Sequence, residues 1–134
     1  MRQSVLLRLI PPRVHAVLDD FVVLTYLMGA YMLELRGAAM GIALAGGFVH
    51  FFITRFTDYP AGMVKLLSFR MHAFIELAEG AAVLVATAVV LPASTPGKHR
   101  LFLTLLGIAQ LAAFALSDYR WPAEHKGVTK EPQP

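Results

Sequence analysis

Four long apolar blocks are the feature of this sequence that most restricts its fold. They are Val14–Leu33, Ala38–Phe56, Met71–Leu91 and Leu101–Leu116. Each block is long enough, or nearly so, to cross a hydrocarbon core of about 30 Å as a helix. A soluble bundle needs a polar stripe on every helix, whereas the run from Ala81 to Leu91 is apolar all round. The pattern therefore predicts an all-α membrane protein, a bundle of four transmembrane helices.

Composition and charge favour a lipid environment and argue against other partners. Hydrophobic residues make up 57% of the chain and charged residues 16%, while soluble domains usually carry about a quarter charged residues. The formal net charge is +3, but the basic residues flank the apolar blocks and form no stripe of the kind that binds nucleic acid. Cysteine is absent, which excludes disulfides and Cys-ligated clusters. The partner that the composition predicts is the lipid bilayer.

Proline and polar residues divide the chain into three parts. Pro11 and Pro12 close an N-terminal segment, residues 1–12, because proline disfavours the helical conformation in the residue before it. We expect this segment to lie at the membrane interface. Residues 13–121 form the four-helix transmembrane domain, and residues 122–134 are polar and proline-rich, which predicts a disordered tail.

The distribution of basic residues predicts that both termini are cytoplasmic, because positive charges near helix ends favour that side. Nine basic residues lie beside the termini and the link between the second and third helices, and three lie in the two opposite turns. The nine are Arg2, Arg8, Arg13, Arg55, Lys65, Arg70, Arg120, Lys126 and Lys130, and the three are Arg36, Lys98 and Arg100. Tyr59, Tyr119 and Trp121 are expected to anchor helix ends at the cytoplasmic interface.

An internal repeat runs through the transmembrane domain. The segment RVHAVLD at 13–19 matches RMHAFIE at 70–76, 57 residues later, and FTDYP at 56–60 matches LSDYRWP at 116–122. The repeats predicted from these matches are residues 13–60 and 70–121. Each repeat is a helical hairpin that begins and ends on one side of the membrane, so a pseudo-two-fold axis along the membrane normal is predicted to relate them.

Tandem hairpins that open on a His-x-x-x-acid motif and close on a hydroxyl-Asp-Tyr motif resemble the SPW-repeat family of bacterial integral membrane proteins. The resemblance covers residues 13–121 and implies a multi-pass protein of the bacterial inner membrane. The Ser-Pro-Trp tripeptide itself is absent: Leu91-Pro92-Ala93 keeps the proline, and Leu33-Glu34-Leu35 stands in its place in the first repeat. The resemblance implies a fold and carries no established activity.

A cluster of histidines and acids is predicted at the cytoplasmic end of the bundle. Each repeat opens on a histidine and an acid four residues apart, which puts both on one helix face, and each closes on an aspartate. The predicted cluster is His15, Asp19, His72, Glu76, Asp58 and Asp118. Such residues on facing helices hold di-metal centres in helical bundles, with His15, His72 and Glu76 as ligands here, and paired histidines can hold a haem. The same residues also fit a structural role, because acids in a first helical turn are favoured by the helix dipole.

His50 and Glu79 form a second predicted site, deeper in the membrane. His50 is eight residues before Asp58 and Glu79 is nine after Arg70, so both lie on the order of 10 Å inside the helix ends at about 1.5 Å per residue. An ionisable residue at that depth is costly and is a functional hypothesis by default. We expect the two side chains to meet across the second and third helices as a buried ionisable pair.

The function predicted first is that of a small non-enzymatic membrane protein, acting as a homo-oligomer or as a subunit of a larger membrane complex. No nucleophile elbow, phosphate-binding loop or zinc signature is present, which disfavours enzymes of those classes. Two alternatives stay open. One is a metal- or haem-binding redox protein that uses the histidine and acid cluster. The other is a proton-coupled transporter or channel of several copies, with Glu79 as the titrating group.

Overall fold

The computed structural model describes residues 8–121 and is all-helical apart from two short strands. Its helices are α1 Pro12–Met32, α2 Gly37–Phe56, α3 Phe69–Val89 and α4 Gly97–Leu116. All four helices are long and apolar enough to cross a membrane, as predicted. The predicted disordered tail, residues 122–134, and residues 1–7 of the predicted interfacial segment lie outside the described residues.

Local sequence determines where the helices begin and where the chain turns. Pro12 occupies the first position of α1, where its missing N–H costs nothing and its fixed φ suits the helix. The Ser68 hydroxyl accepts a hydrogen bond from the Met71 amide at 3.1 Å and caps the start of α3. Between α1 and α2 the chain reverses within four residues, since Glu34 and Gly37 both adopt positive φ, 53° and 55°.

Short parallel pairings join chain segments at the end of the bundle where α1 and α3 begin and α2 and α4 end, which we call the inner end; the opposite end is the outer end. Strand β1, Thr57–Asp58, follows α2 and pairs with β2, Leu67–Ser68, which leads into α3. Ile10, which precedes α1, pairs in the same parallel sense with Ser117, which follows α4. The link between α2 and α3 thus contains a strand pair. Each pairing holds the chain leaving one hairpin beside the chain entering the other.

Helix packing follows the hairpins, and the outer surface of the bundle is apolar while many polar groups are enclosed. The most extensive packing joins α3 to α4 and α1 to α2, and α2 packs on α3 between them. Large apolar side chains such as Phe21, Phe48 and Phe74 are exposed on the outer surface. Twelve of the buried side chains in the described range are polar or charged. Polar groups inside and apolar groups outside are what a hydrocarbon solvent requires.

Two apolar clusters lie at the two ends of the bundle. The outer cluster contains Tyr26, Leu35 and Leu103, and Arg100 closes the end of α3 there by donating to the carbonyls of Thr87, Leu91 and Pro92. The inner cluster is aromatic, and its buried members are Ala16, Tyr59, Phe69, Ala73 and Tyr119. The buried histidines and acids lie against this inner, aromatic cluster.

Candidate functional site

Two histidines from different hairpins face each other inside the bundle. His15 lies one turn into α1 and His72 lies at the same place in α3. Both side chains are fully buried, and their Nε2 atoms are 3.4 Å apart. The repeat predicted that these residues share a depth, and the structure brings them together.

Two carboxylates border the same space, each one helical turn after its histidine. Asp19 Oδ1 is 3.3 Å from His15 Nε2 and Asp19 Oδ2 is 3.4 Å from His72 Nε2. Glu76 Oε2 is 3.6 Å from His15 Nε2. Asp19 and Glu76 are each 1% exposed. The central cluster is therefore His15, His72, Asp19 and Glu76.

Hydroxyl groups determine the tautomer of His72. The Thr57 hydroxyl donates its one proton to the Ile53 carbonyl at 2.5 Å, so Thr57 Oγ1 must accept from His72 Nδ1–H at 3.0 Å. Nε2 of a neutral His72 then presents a lone pair to the centre. On the opposite side Ser117 Oγ lies 2.6 Å from His15 Nδ1, the corresponding contact for the other imidazole.

Tyr59 and Tyr119 are part of the site, which corrects their prediction as interfacial anchors. They are 1% and 7% exposed, and their hydroxyls donate to Asp19 Oδ2 at 2.5 Å and to Glu76 Oε2 at 2.9 Å. Burial raises the pKa of both tyrosines above the ordinary value, and the neighbouring carboxylates raise it further. Both phenols therefore remain proton donors. These bonds account for the tyrosine of each Asp-Tyr motif.

The predicted contact between His50 and Glu79 is confirmed. His50 Nδ1 lies 3.0 Å from Glu79 Oε2. His50 Nε2 also lies 3.3 Å from Asp19 Oδ1, so the two sites that the sequence treats as separate are one network. Gln110 lies eight residues before Asp118, as His50 lies eight before Asp58. It accepts from the Tyr26 hydroxyl at 2.9 Å, and its side-chain nitrogen lies 3.2 Å from His50 Nδ1.

Aromatic rings enclose the central histidines. The ring centroid of His15 is 5.1 Å from that of Phe69 and 5.4 Å from that of Tyr119. The Tyr59 ring lies 5.2 Å from His72. These packed rings separate the polar centre from the helix ends, so the centre is surrounded by protein in a low-dielectric environment where its charges interact strongly.

Asp58 and Asp118, which the sequence predicts to join the cluster, pair elsewhere in the structure. The Asp58 carboxylate lies 3.0 Å from Lys65 Nζ, and Asp118 pairs with Arg120, which lowers the pKa of Asp118. Both acids follow the last residue of a helix and are only partly buried, so nearby cations of the connecting segments reach them. Neither contributes to the groups of metal-binding side chains found within residues 8–121.

The side chains of this network are of the types that bind metal ions. His15, Asp19 and His72 each offer a ligand atom, and these atoms lie within 4.8 Å of one another; Asp19, His50 and Glu76 form a second such group. His50 and the hydroxyl partners Thr57 and Ser117 were not predicted as part of the cluster. The hydroxyl position of the repeated hydroxyl-Asp-Tyr motif indicated Thr57 and Ser117, but the prediction was based on the aspartate of that motif.

Comparison of the chain with models of protein families, with curated proteins and with solved structures finds no match.

Proposed function

We propose that this chain is a multi-pass membrane protein that binds a divalent metal ion between α1 and α3, with His15, His72 and Asp19 as ligands. The observation that carries the proposal is the 3.4 Å separation of two imidazole Nε2 atoms in a fully buried site. Ionisable side chains inside a membrane bundle are costly and indicate function by default. Of the alternatives that the sequence leaves open, the metal-binding protein agrees best with this geometry.

The distances between the ligand atoms support an ion of tetrahedral type. Nitrogen ligands at about 2.0–2.1 Å from a tetrahedral ion lie about 3.3–3.4 Å from each other. The Nε2 atoms of His15 and His72 have that separation, 3.4 Å. Asp19 presents one oxygen to each of them, with Oδ1 3.3 Å from His15 Nε2 and Oδ2 3.4 Å from His72 Nε2.

The surrounding hydrogen bonds support the same proposal. Histidines that bind metals almost always donate their other ring N–H to an oxygen, which sets the tautomer. Thr57 takes that role for His72, and Ser117 stands in the equivalent place for His15. The two tyrosine hydroxyls hold Asp19 and Glu76 in the same way. Each side chain of the central cluster thus has an outer partner that orients it.

A metal ion fits this space better than a haem. The macrocycle of a bis-histidine haem lies between its two axial ligands. The Nε2 atoms of His15 and His72 are only 3.4 Å apart, and the ring of Phe69 packs beside both imidazoles. Imidazole and carboxylate ligands together suit Zn²⁺ and Fe²⁺. All proposed ligands come from one chain, so the site requires no partner subunit.

We also infer that the bundle is a duplicated hairpin, as the resemblance to SPW-repeat proteins implies, in an inner membrane with cytoplasmic termini. The paired contacts support the duplication: His15 with Ser117 corresponds to His72 with Thr57, and the Tyr59–Asp19 bond corresponds to the bond of Tyr119 with Glu76. The excess of basic residues, nine against three, supports the orientation.

Metal binding is tested with protein purified in detergent, stripped with a chelator and titrated with Zn²⁺. We expect a stoichiometric site whose affinity falls by more than about 100-fold in His72→Ala, since loss of an outer partner alone costs about 10- to 100-fold. His99→Ala is the matched control, because His99 is buried against the Leu33 carbonyl at the outer end. Equal affinity in wild type and His72→Ala, or no bound zinc in folded wild type, would contradict the proposal.

A further inference from the structure

We propose that the centre is dinuclear: a second metal ion binds beside the first, with Asp19 bridging the two ions and His50 and Glu76 as the additional ligands. This inference rests on the proposed function, because the second ion shares Asp19 with the first. It assigns a role in metal binding to His50, which lies on α2. The ligands of the centre would then come from three helices, α1, α2 and α3.

The position of Asp19 supports a bridge. Its Oδ1 atom is 3.3 Å from His15 Nε2 and also 3.3 Å from His50 Nε2, so one carboxylate faces imidazoles on two sides. Asp19, His50 and Glu76 offer three ligand atoms that lie within 4.8 Å of one another. Two-metal sites hold their ions about 3.5–4 Å apart, a spacing that a bridging carboxylate accommodates.

His50 is oriented as a ligand. His50 Nδ1 lies 3.0 Å from Glu79 Oε2 and Nε2 lies 3.3 Å from Asp19 Oδ1, so a neutral His50 that donates from Nδ1 to Glu79 directs its Nε2 lone pair at Asp19. Two acceptor atoms at 3.3 Å repel each other unless a cation lies between or beside them. A carboxylate that accepts from one imidazole nitrogen while a metal binds the other is the usual outer arrangement of metal-ligating histidines. Glu79 therefore acts as a positioning residue.

Glu76 provides an independent indication that a cation binds beside it. Its Oε2 atom accepts from Tyr119, but its Oε1 atom has no hydrogen-bond partner within the described part of the chain, although the residue is 1% exposed. A buried acceptor without a donor is unfavourable. A cation beside Glu76 would satisfy this oxygen.

The charge of the buried acids is more than one divalent ion neutralises. Asp19, Glu76 and Glu79 supply three carboxylates inside the membrane-spanning helices. With neutral histidines, one divalent ion leaves a net charge of −1, whereas two ions give +1, which a bound hydroxide cancels. Net charge in a membrane interior is strongly disfavoured. With one ion, neutrality instead requires a protonated His50. The two alternatives therefore differ at His50 Nε2, which carries a proton when one ion is bound and binds a metal when two are bound.

The test counts zinc ions per chain after equilibrium dialysis of the chelator-stripped, full-length protein against Zn²⁺, with elemental analysis. We expect about two ions in wild type and in the control His99→Ala, and about one in His50→Ala. One ion in wild type would overturn the dinuclear centre and leave the proposed function standing, whereas none would overturn both. Two ions in both wild type and His50→Ala would also overturn it, because the second ion would then lie elsewhere.

A measurement on the wild-type protein covers the case in which His50→Ala does not fold. The stripped protein is loaded with Mn²⁺ and examined by electron paramagnetic resonance. Two ions that share Asp19 should be magnetically coupled, which replaces the spectrum of isolated Mn²⁺ by a coupled one at full loading. A spectrum of isolated ions at every loading would contradict the bridge.

Discussion

Single hydroxyl and imidazole groups determine what this site can bind. Because the Thr57 proton is committed to the Ile53 carbonyl, His72 must donate from Nδ1 and turn a bare Nε2 to the centre. The phenol of Tyr59 likewise stays protonated, since burial raises its pKa, and it can only donate to Asp19. These groups leave the His72 Nε2 lone pair and the carboxylate oxygens of Asp19 at the centre, and a cation requires such acceptor atoms around it.

Tyr59→Phe tests the outer shell. Removal of the hydroxyl leaves Asp19 Oδ2 without its 2.5 Å donor, so we expect the Zn²⁺ affinity to fall by about 10- to 100-fold. Isothermal titration of the stripped protein measures the change. Tyr31→Phe is the control, because that side chain is 79% exposed at the outer end of α1. An unchanged affinity in Tyr59→Phe would show that this bond does not orient a ligand.

The contact between His50 and Glu79 predicts a coupling energy. In the metal-free protein, His50→Ala and Glu79→Gln should each lower the free energy of unfolding in detergent by more than about 1 kcal/mol, because each leaves a buried polar partner unpaired. The double variant should cost less than the sum, since residues in contact couple by about 0.5–3 kcal/mol. Glu34→Gln, in the outer turn, provides the control. Strictly additive costs would contradict the paired arrangement.

Among the helices and strands, the short pairings at the inner end position the site. Strand β1 carries Thr57 to His72, and the Ile10–Ser117 pairing carries Ser117 to His15. The turn after β1 is tight: a Cβ at Gly62 would lie 1.6 Å from the Thr57 carbonyl oxygen. The helices supply the ligands, and these connections supply the groups that orient them.

Gly62→Ala should therefore disturb both stability and metal binding. The added methyl group forces the backbone at Thr57 to move, and overpacking of this kind typically costs about 1–3 kcal/mol. We also expect weaker Zn²⁺ binding, because Thr57 orients His72. Gly97→Ala is the matched control, since a Cβ there meets nothing within 4 Å. Thermal unfolding and zinc titration that are identical for the two variants would argue against a role for this turn.

Much of the helical architecture could be predicted from the sequence, because lipid imposes a simple rule of length and hydropathy on each helix. The four blocks lie within a few residues of the observed helices, and equal distance from the link was enough to bring His50 level with Glu79. The reach of His50 to Asp19 depends on the rotation of α2 about its axis, which no local pattern specifies. The burial of Tyr59 was missed for a related reason: β1 and its turn bring the chain back under the bundle, whereas a tyrosine at a helix end ordinarily lies in the interface.

For the molecule as a whole, the central expectation is its orientation. With nine basic residues on the side of the termini and three opposite, both termini should face the cytoplasm. A reporter that is active only outside the cytoplasm, fused after Pro134, should be silent, and the same reporter inserted in the outer turn at Ser94 should be active. The reverse pattern would overturn the orientation.

The proposed function depends on a metal ion bound by His15 and His72, and X-ray absorption spectroscopy of the zinc-loaded protein tests that binding most directly. We expect two or more imidazole nitrogens at about 2.0–2.1 Å, with oxygen ligands completing the shell, and fewer imidazoles in His15→Ala. A shell of oxygens alone, like that of a surface-bound ion, or an unchanged spectrum in His15→Ala would contradict the account.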